Sequence, residues 1–573
     1  MRGKAFAASF LAASILFAAA CKPFSGPLAV EPALGTYYLE DLRGDGSFRI
    51  DLDTGANPRS VYFTFVNPSF SDEKGDLTVK GDSASQEPAA AAVAAARQLG
   101  PSPSSEQREP TPAHITAFNQ DPFGVRGKGA PSLRLFERPP AAPQFDGYGD
   151  TDGFYNMDLT GVIPATCRKV VTGVPVAGGT RTLNIWVADD CWDGPPGLDG
   201  DRYYLVNQAM VDELAVKFLT TGAFNDIYDW VTGMLGPEWG PHGYGNLIPA
   251  NNEITILLCD IAGDNRPGGY VGYYWSKDNF VKGGDDNYLD YYSAERIMFT
   301  IDAVSFGCPE GSWDITDYWP EEILSTLAHE FQHMIHFYQR AVLLHAMAGG
   351  DTWINEMASQ VVEDLLSDKM NVLGPRGVDG ADGSAGAAAN GEGRLPLFNA
   401  FNDISLSDWG GTDIYASYSI VYAFGAWLAR NYGGAMLLNR LMHCPLTGPA
   451  SIEYLVELAT GASEQFPRLL QRWGTAQILS NATDAPPGYV YNSGGFFGSN
   501  VGADTYQLGS INLYNYSYGG QVGPLLYSGE TVGTSPHLST SCALYRVPGT
   551  VTGTFSRTVK MPSGMIASLL LRP

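Results

Sequence analysis

His329-Glu330-Phe331-Gln332-His333 decides the reading of this chain. Two imidazoles four residues apart share one face of a helix, so both can point at a single metal ion. The carboxylate beside the first reaches the open coordination position where water sits. Only eight histidines occur in 573 residues, which makes a chance match an unattractive explanation. The flanks agree. Ile323 to Ala328 leads in and Met334 to Tyr338 leads out, with apolar residues at the spacing of a buried helix. Pro320, Glu321 and Glu322 suit a helix start, with acids at the positive end of the dipole. The pattern implies metal-activated hydrolysis, with Glu330 as the group that takes the proton from water.

A catalytic zinc site needs a third protein ligand. Glu356 is the candidate, in Trp353-Ile354-Asn355-Glu356-Met357, a run that continues with helical periodicity through Leu366. His336 is the rival. It shares a face with His333 but would stand about 10 Å along the axis from His329, too far for all three histidines to meet one ion. No Cys-x-x-Cys pair offers another kind of zinc site.

These segments resemble the gluzincin metallopeptidases, and among them the hyicolysin family of bacterial secreted or surface enzymes. The matching elements are residues 329–335 and 353–357, with Gly268 to Trp275 and Arg296 to Asp302 upstream and Tyr422 to Leu428 downstream. The resemblance covers about residues 180–480. It implies a zinc ion held by His329, His333 and Glu356, endopeptidase activity on polypeptides, and an α+β fold with a zincin-like core. One departure stands out: Gln360 occupies the place, four residues past the ligand glutamate, where some gluzincins carry an aspartate that supports a zinc histidine. The partner of that histidine is left open.

Residues 1–21 read as a lipoprotein signal. A charged start precedes an apolar stretch too short to span a membrane, then Ala18-Ala19-Ala20-Cys21, a loose version of the usual junction. Cys21 would carry the lipid, anchoring an exported chain at the cell surface or in the periplasm; ordinary signal-peptidase cleavage is the plainer alternative. The six further cysteines are an even number in an oxidising compartment, and sequence does not pair them. A net charge of −26, from 35 basic against 61 acidic residues, argues against nucleic acid or an anionic bilayer surface as partner. The acidic runs Asp146 to Gly153 and Asp189 to Gly194 could hold calcium, but neither fits the twelve-residue loop pattern, and ordinary turns are the simpler reading.

Composition divides the remainder. A small β module is expected over 22–80, around the alternating strand Ser60 to Val66, then a flexible linker over 81–115 rich in Ala, Pro, Ser, Gln and Glu. The catalytic domain is expected over 160–480, and a C-terminal β-sandwich over 485–573. Arg296 to Ile301 is expected to be the sheet strand beside the cleft, available for an extended peptide to pair with. The Gly- and Ala-rich loop 374–394 reads most simply as an inert insertion. Tyr415, Tyr418 and Tyr422 are offered as oxyanion donors without a choice among them. Two other functions fit the same parts: a surface binding lipoprotein, or adhesin, on a zincin scaffold, and a zinc hydrolase of some non-peptide bond.

Overall fold

A computed structural model describes residues 38–42, 46–81, 109–123, 146–193, 204–282, 291–347, 351–372, 374–377, 393–411, 413–492 and 494–573. The leader with Cys21, residues 82–108 of the 81–115 linker and residues 378–392 of the 374–394 loop lie outside them.

The chain opens with β1 (Tyr38–Leu42), β2 (Gly46–Asp53), β3 (Ser60–Asn67) and β4 (Thr78–Gly81). Helix α1 (Ala113–Gln120) precedes β5 (Thr151–Tyr155), β6 (Val162–Val176) and β7 (Gly179–Ala188). Next come α2 (Gln208–Phe218), α3 (Ile227–Leu235), β8 (Glu253–Cys259), β9 (Gly272–Tyr273), β10 (Met298–Asp302) and the short α4 (Ala303–Phe306). The helical half holds α5 (Tyr318–His336), α6 (Thr352–Met370), α7 (Arg394–Phe401), α8 (Ile414–Tyr432), α9 (Ala435–Met442), α10 (Gly448–Thr460) and α11 (Phe466–Leu479). Small hairpins β11–β12 (498–507) and β13–β14 (517–522) lead to β15 (Ser541–Arg546), β16 (Thr554–Met561) and β17 (Ile566–Arg572). Among the described residues no helix is long and apolar enough to cross a membrane.

Strands β5-β6-β7-β8-β10-β9 form one six-stranded sheet, parallel across β7, β8 and β10 and antiparallel elsewhere. The central strands read as near-continuous apolar runs because helices bury them: Ile254 to Leu258 and Phe299 to Ile301 are all core or nearly inaccessible. Strand β10 is not the sheet edge, which corrects the expectation for Arg296 to Ile301. Two-residue β9 pairs outside it, Gly272 with Ile301 and Tyr273 with Thr300, and takes the edge. So short a strand between glycines and tyrosines has no alternation to announce it.

The two expected β modules are corrected as well. β17 lies between β1 and β3, with β15 on the far side of β3, and β16 lies between β2 and β4. Segments from the two ends of the chain therefore share a four-stranded and a three-stranded sheet. Ile50, Phe63, Phe65, Val79, Tyr545, Phe555, Val559 and Leu569 pack between them. Each segment alone supplies half a sandwich whose apolar face would meet water. The main hydrophobic core also exceeds 160–480: Ile115 and Phe118 of α1 belong to it, as do Tyr506, Ile511 and Leu513 beyond its expected end.

Candidate metal centre

Helix α5 carries His329, Glu330 and His333 through the middle of the molecule, and every residue from Ile323 to His336 is buried. Helix α6 packs beside it and supplies Glu356 from its first turns. His329 Nε2 lies 3.4 Å from Glu356 Oε2 and His333 Nε2 lies 3.6 Å from it. The three side chains form the one group able to hold a metal ion among the described residues, with ligand atoms within 4.8 Å of one another. Tetrahedral zinc with bonds of about 2.1 Å separates its ligand atoms by about 3.4 Å. Buried Glu356 Oε2 has no hydrogen-bond partner. Such an orphaned oxygen facing two imidazole nitrogens is costly unless a cation completes it, so the donor set fits zinc. His336 does not join the group; it lies buried along the cleft, its pKa pushed well down by burial and by Arg340.

The partner of His329 is a residue the sequence did not single out. Glu363, two turns past Glu356 on α6, accepts a 2.6 Å hydrogen bond from His329 Nδ1 and a 2.7 Å bond from the Ser325 hydroxyl. Holding the proton on Nδ1 leaves Nε2 as the ligand atom. Gln360 takes a lesser part: its Nε2 donates to Glu363 Oε1 at 3.0 Å. The signal was present, since residues seven apart share a helix face, but a charged residue at that spacing is usually solvated. Burial opposes charge on both partners, yet their mutual attraction prevails: Glu356 is held at about 2 by His333 and His329, and His329 rises to about 10 beside Glu356 and Glu363.

Glu330 is 3% exposed and faces the sheet edge. Its Oε2 accepts the Tyr274 backbone N–H at 2.7 Å, just past β9. Burial pushes its carboxyl up, against the pull of His329 and His333. Gly272 makes the approach of the edge to α5 feasible, because a Cβ there would stand 2.6 Å from Thr326 Cγ2 and 3.0 Å from Ile301 Cδ1.

Two solvent-open hollows flank the centre, of about 450 and 420 Å³, and Glu330 and Thr111 border both. The first is lined by His333, His336, Asn355 and Glu356, the second by His329, Gln360, Arg394, Tyr415 and Tyr418. Thr111 belongs to the stretch expected as linker. Residues 109–120 instead lie along the edge: Glu109 N donates to Gly269 O, Asn119 Nδ2 donates to Tyr274 O at 2.6 Å, and Asn119 Oδ1 accepts from Ser276 N at 2.9 Å. Ile115 and Phe118, a helical pair three apart, anchor the stretch and were its available signal.

Of the three tyrosines, Tyr422 is engaged elsewhere, its hydroxyl donating to Asp364, which also pairs with Arg430. Tyr418 is 6% exposed, with its ring 6.5 Å from that of His329. The acidic turns bind side chains: Asp146 and Asp152 both pair with Arg296, and Asp189 accepts from Thr166. Cys167, Cys259, Cys444 and Cys542 are separate buried thiols.

The family model for peptidase M30 matches residues 164–572. The chain belongs to the peptidase M30 family. The hyicolysin-type kinship read from its motifs is thereby borne out. The neutral metalloprotease ShpI of Staphylococcus hyicus is 22% identical over 213 residues, 36% of this chain and 42% of that protein. This M30 chain thus spans less than half the length of that relative. Among solved structures, an M1 zinc metallopeptidase from Deinococcus radiodurans is similar over 51% of this chain and 48% of that one, with a TM-score of 0.27 and 13% identity. A two-domain M1 zinc metallopeptidase mutant bound to L-tryptophan is similar over 53% of each chain, with a TM-score of 0.27 and 12% identity.

Proposed function

We propose that this M30 peptidase is a zinc-dependent endopeptidase with a zincin-like core that cleaves extracellular polypeptides, exported and anchored to a membrane through lipid on Cys21. The observation that carries the catalytic reading is the buried Glu330 carboxylate beside the converging donors of His329, His333 and Glu356. A structural zinc site needs no carboxylate at its open position, which disfavours a scaffold that only binds.

His329, His333 and Glu356 would hold the zinc, which would supply a Lewis acid for the scissile carbonyl and lower the pKa of a neighbouring water to about 7. Glu330 accepts the proton from the attacking water and passes it to the departing amine. Its burial keeps the carboxyl pKa raised, a better match to that exchange than a solvated glutamate offers. Tyr274 N holds one Glu330 oxygen and so fixes the carboxylate plane. Tyr422 is committed to Asp364, and of Tyr415 and Tyr418, which both line the second hollow, Tyr418 has its ring 6.5 Å from that of His329; its hydroxyl is the donor assigned to the developing oxyanion. An extended substrate would add as a further strand at Gly272, which borders the second hollow between the bonds that tie residues 109–120 to Gly269 and Tyr274.

The test uses the chain without residues 1–21, incubated with unfolded casein and a mixed peptide library while bound metal is counted. One zinc per chain and chelator-sensitive cleavage are expected. Glu330→Gln should keep the zinc and lose turnover by at least about 100-fold. Zinc binding without cleavage by the wild type would shift the reading to a binding lipoprotein or a hydrolase of another bond; absence of zinc would remove the ligand assignment.

A further inference from the structure

Arg394 is the first residue of α7, where its charge faces the positive end of the helix dipole. Local helix stability therefore does not account for it, and its contacts point elsewhere. Its Nε donates to Gln360 Oε1 at 3.0 Å, and its guanidinium carbon lies 4.9 Å from the centre of the Tyr418 ring. Gln360 Nε2 in turn donates to Glu363 Oε1, the oxygen that accepts from His329 Nδ1. A primary amide can be turned either way, yet here both ends are dictated. Guanidinium only donates and carboxylate only accepts, so the amide oxygen must face Arg394 and the amide nitrogen Glu363. Turned over, Gln360 would set its carbonyl against the Glu363 carboxylate and its N–H groups against a cation. Gln360 thus makes the His329 support depend on a second helix.

We propose that Arg394 is a positioning residue that acts on two sides of the centre: through Gln360 and Glu363 it holds His329 in its ligating orientation, and across the Tyr418 ring it holds that tyrosine beside the cleft. The Tyr418 side rests on the hydrolytic reading above; the His329 side does not.

The test compares wild type with Arg394→Met, Arg394→Lys, Gln360→Met and the double Arg394→Met/Gln360→Met variant, all in the chain without residues 1–21. Zinc affinity is measured by chelator competition, and kcat and KM on a peptide the wild type cleaves. Arg394→Met is expected to weaken zinc about 10-fold and to lower kcat about 10- to 100-fold, with KM within about 2-fold. Gln360→Met should match it in zinc affinity while losing less kcat, since the Tyr418 contact remains. The double variant should bind zinc no more weakly than either single one, because both break the same relay. Arg394→Lys keeps a cation and a donor and should recover part of both losses. Zinc affinity unchanged in both single variants, additive zinc losses in the double one, or a raised KM with intact kcat would each overturn the proposal. If Arg394→Met does not fold, Gln360→Met and Arg394→Lys still decide it. If the wild type cleaves nothing, the function proposed above fails while the zinc comparisons still test the relay.

Discussion

Glu363 shows how one carboxylate organises a site it does not enter. It accepts from His329 and Ser325 on α5, bonds that hold α5 and α6 in register, and from Gln360 on its own helix. Glu363→Gln keeps the volume but puts an amide against the His329 N–H; zinc affinity should fall about 10- to 100-fold in chelator competition, and an unchanged value would show His329 to be oriented by packing alone. A second carboxylate bears on pH. Asp302 is 2% exposed at the end of β10, and burial raises its pKa to about 7 although the Ser305 and Ile261 N–H groups bind it. Its folded pKa exceeds the unfolded one, so the native state binds the proton more tightly. Its stabilising contribution is complete below about pH 4 and is lost as pH rises toward 7, at a slope of at most about 1.4 kcal/mol per unit. Asp302→Asn should remove that slope from denaturant-derived stabilities between pH 4 and 7. A slope equal to wild type would mean that Asp302 stays ionised throughout.

At the scale of elements, the centre depends on how closely helices approach. Gly425 lies mid-way along α8, where a Cβ would stand 2.6 Å from Met357 Cγ and 2.7 Å from Val361 Cγ2. Both belong to α6, and Met357 adjoins Glu356. Alanine favours the helix by about 1 kcal/mol, but overpacking costs about 1 to 3, so the clash is expected to prevail. Gly425→Ala should therefore lower the melting temperature and weaken zinc together; a stabilised variant with intact zinc affinity would show that Met357 swings aside. Helices α5 and α6 were legible nearly end to end, because apolar residues at helical spacing over several turns have few competing explanations. The 109–120 stretch was hidden by its neighbours: a window dominated by Ala, Pro and Ser concealed a two-turn helix with a single apolar pair.

For the whole molecule, the shared sheets tie the two ends of the chain to the half that carries the metal centre. Helix α11 seats Gly474 against Thr64 of β3, and Ile478 and Leu479 pack with Tyr62, Leu544 and Leu570. On the other side Lys369 of α6 pairs with Asp504 at 2.7 Å. The fragment 160–480 would lose β1 to β5, α1 and every strand from β11 onward, leaving these faces bare. It is expected to aggregate, or to unfold at clearly lower denaturant than the full chain. A soluble fragment with native zinc affinity would make the β unit an independent appendage.

Local sequence determined what chemistry the chain carries and where its helices run, because a histidine pair at helical spacing and an apolar stripe are properties of neighbours along the chain. It therefore placed His329, His333 and Glu356, which the fold brings within bonding reach of one ion, and Glu330, which lies buried beside them. Only tertiary structure decided that Glu363 supports His329, that β9 rather than β10 is the sheet edge, and that β17 inserts between β1 and β3. Those outcomes depend on which buried donor meets which acceptor and which strand edges are left to pair. Alternating apolar residues say that a face must be covered; they do not say by what.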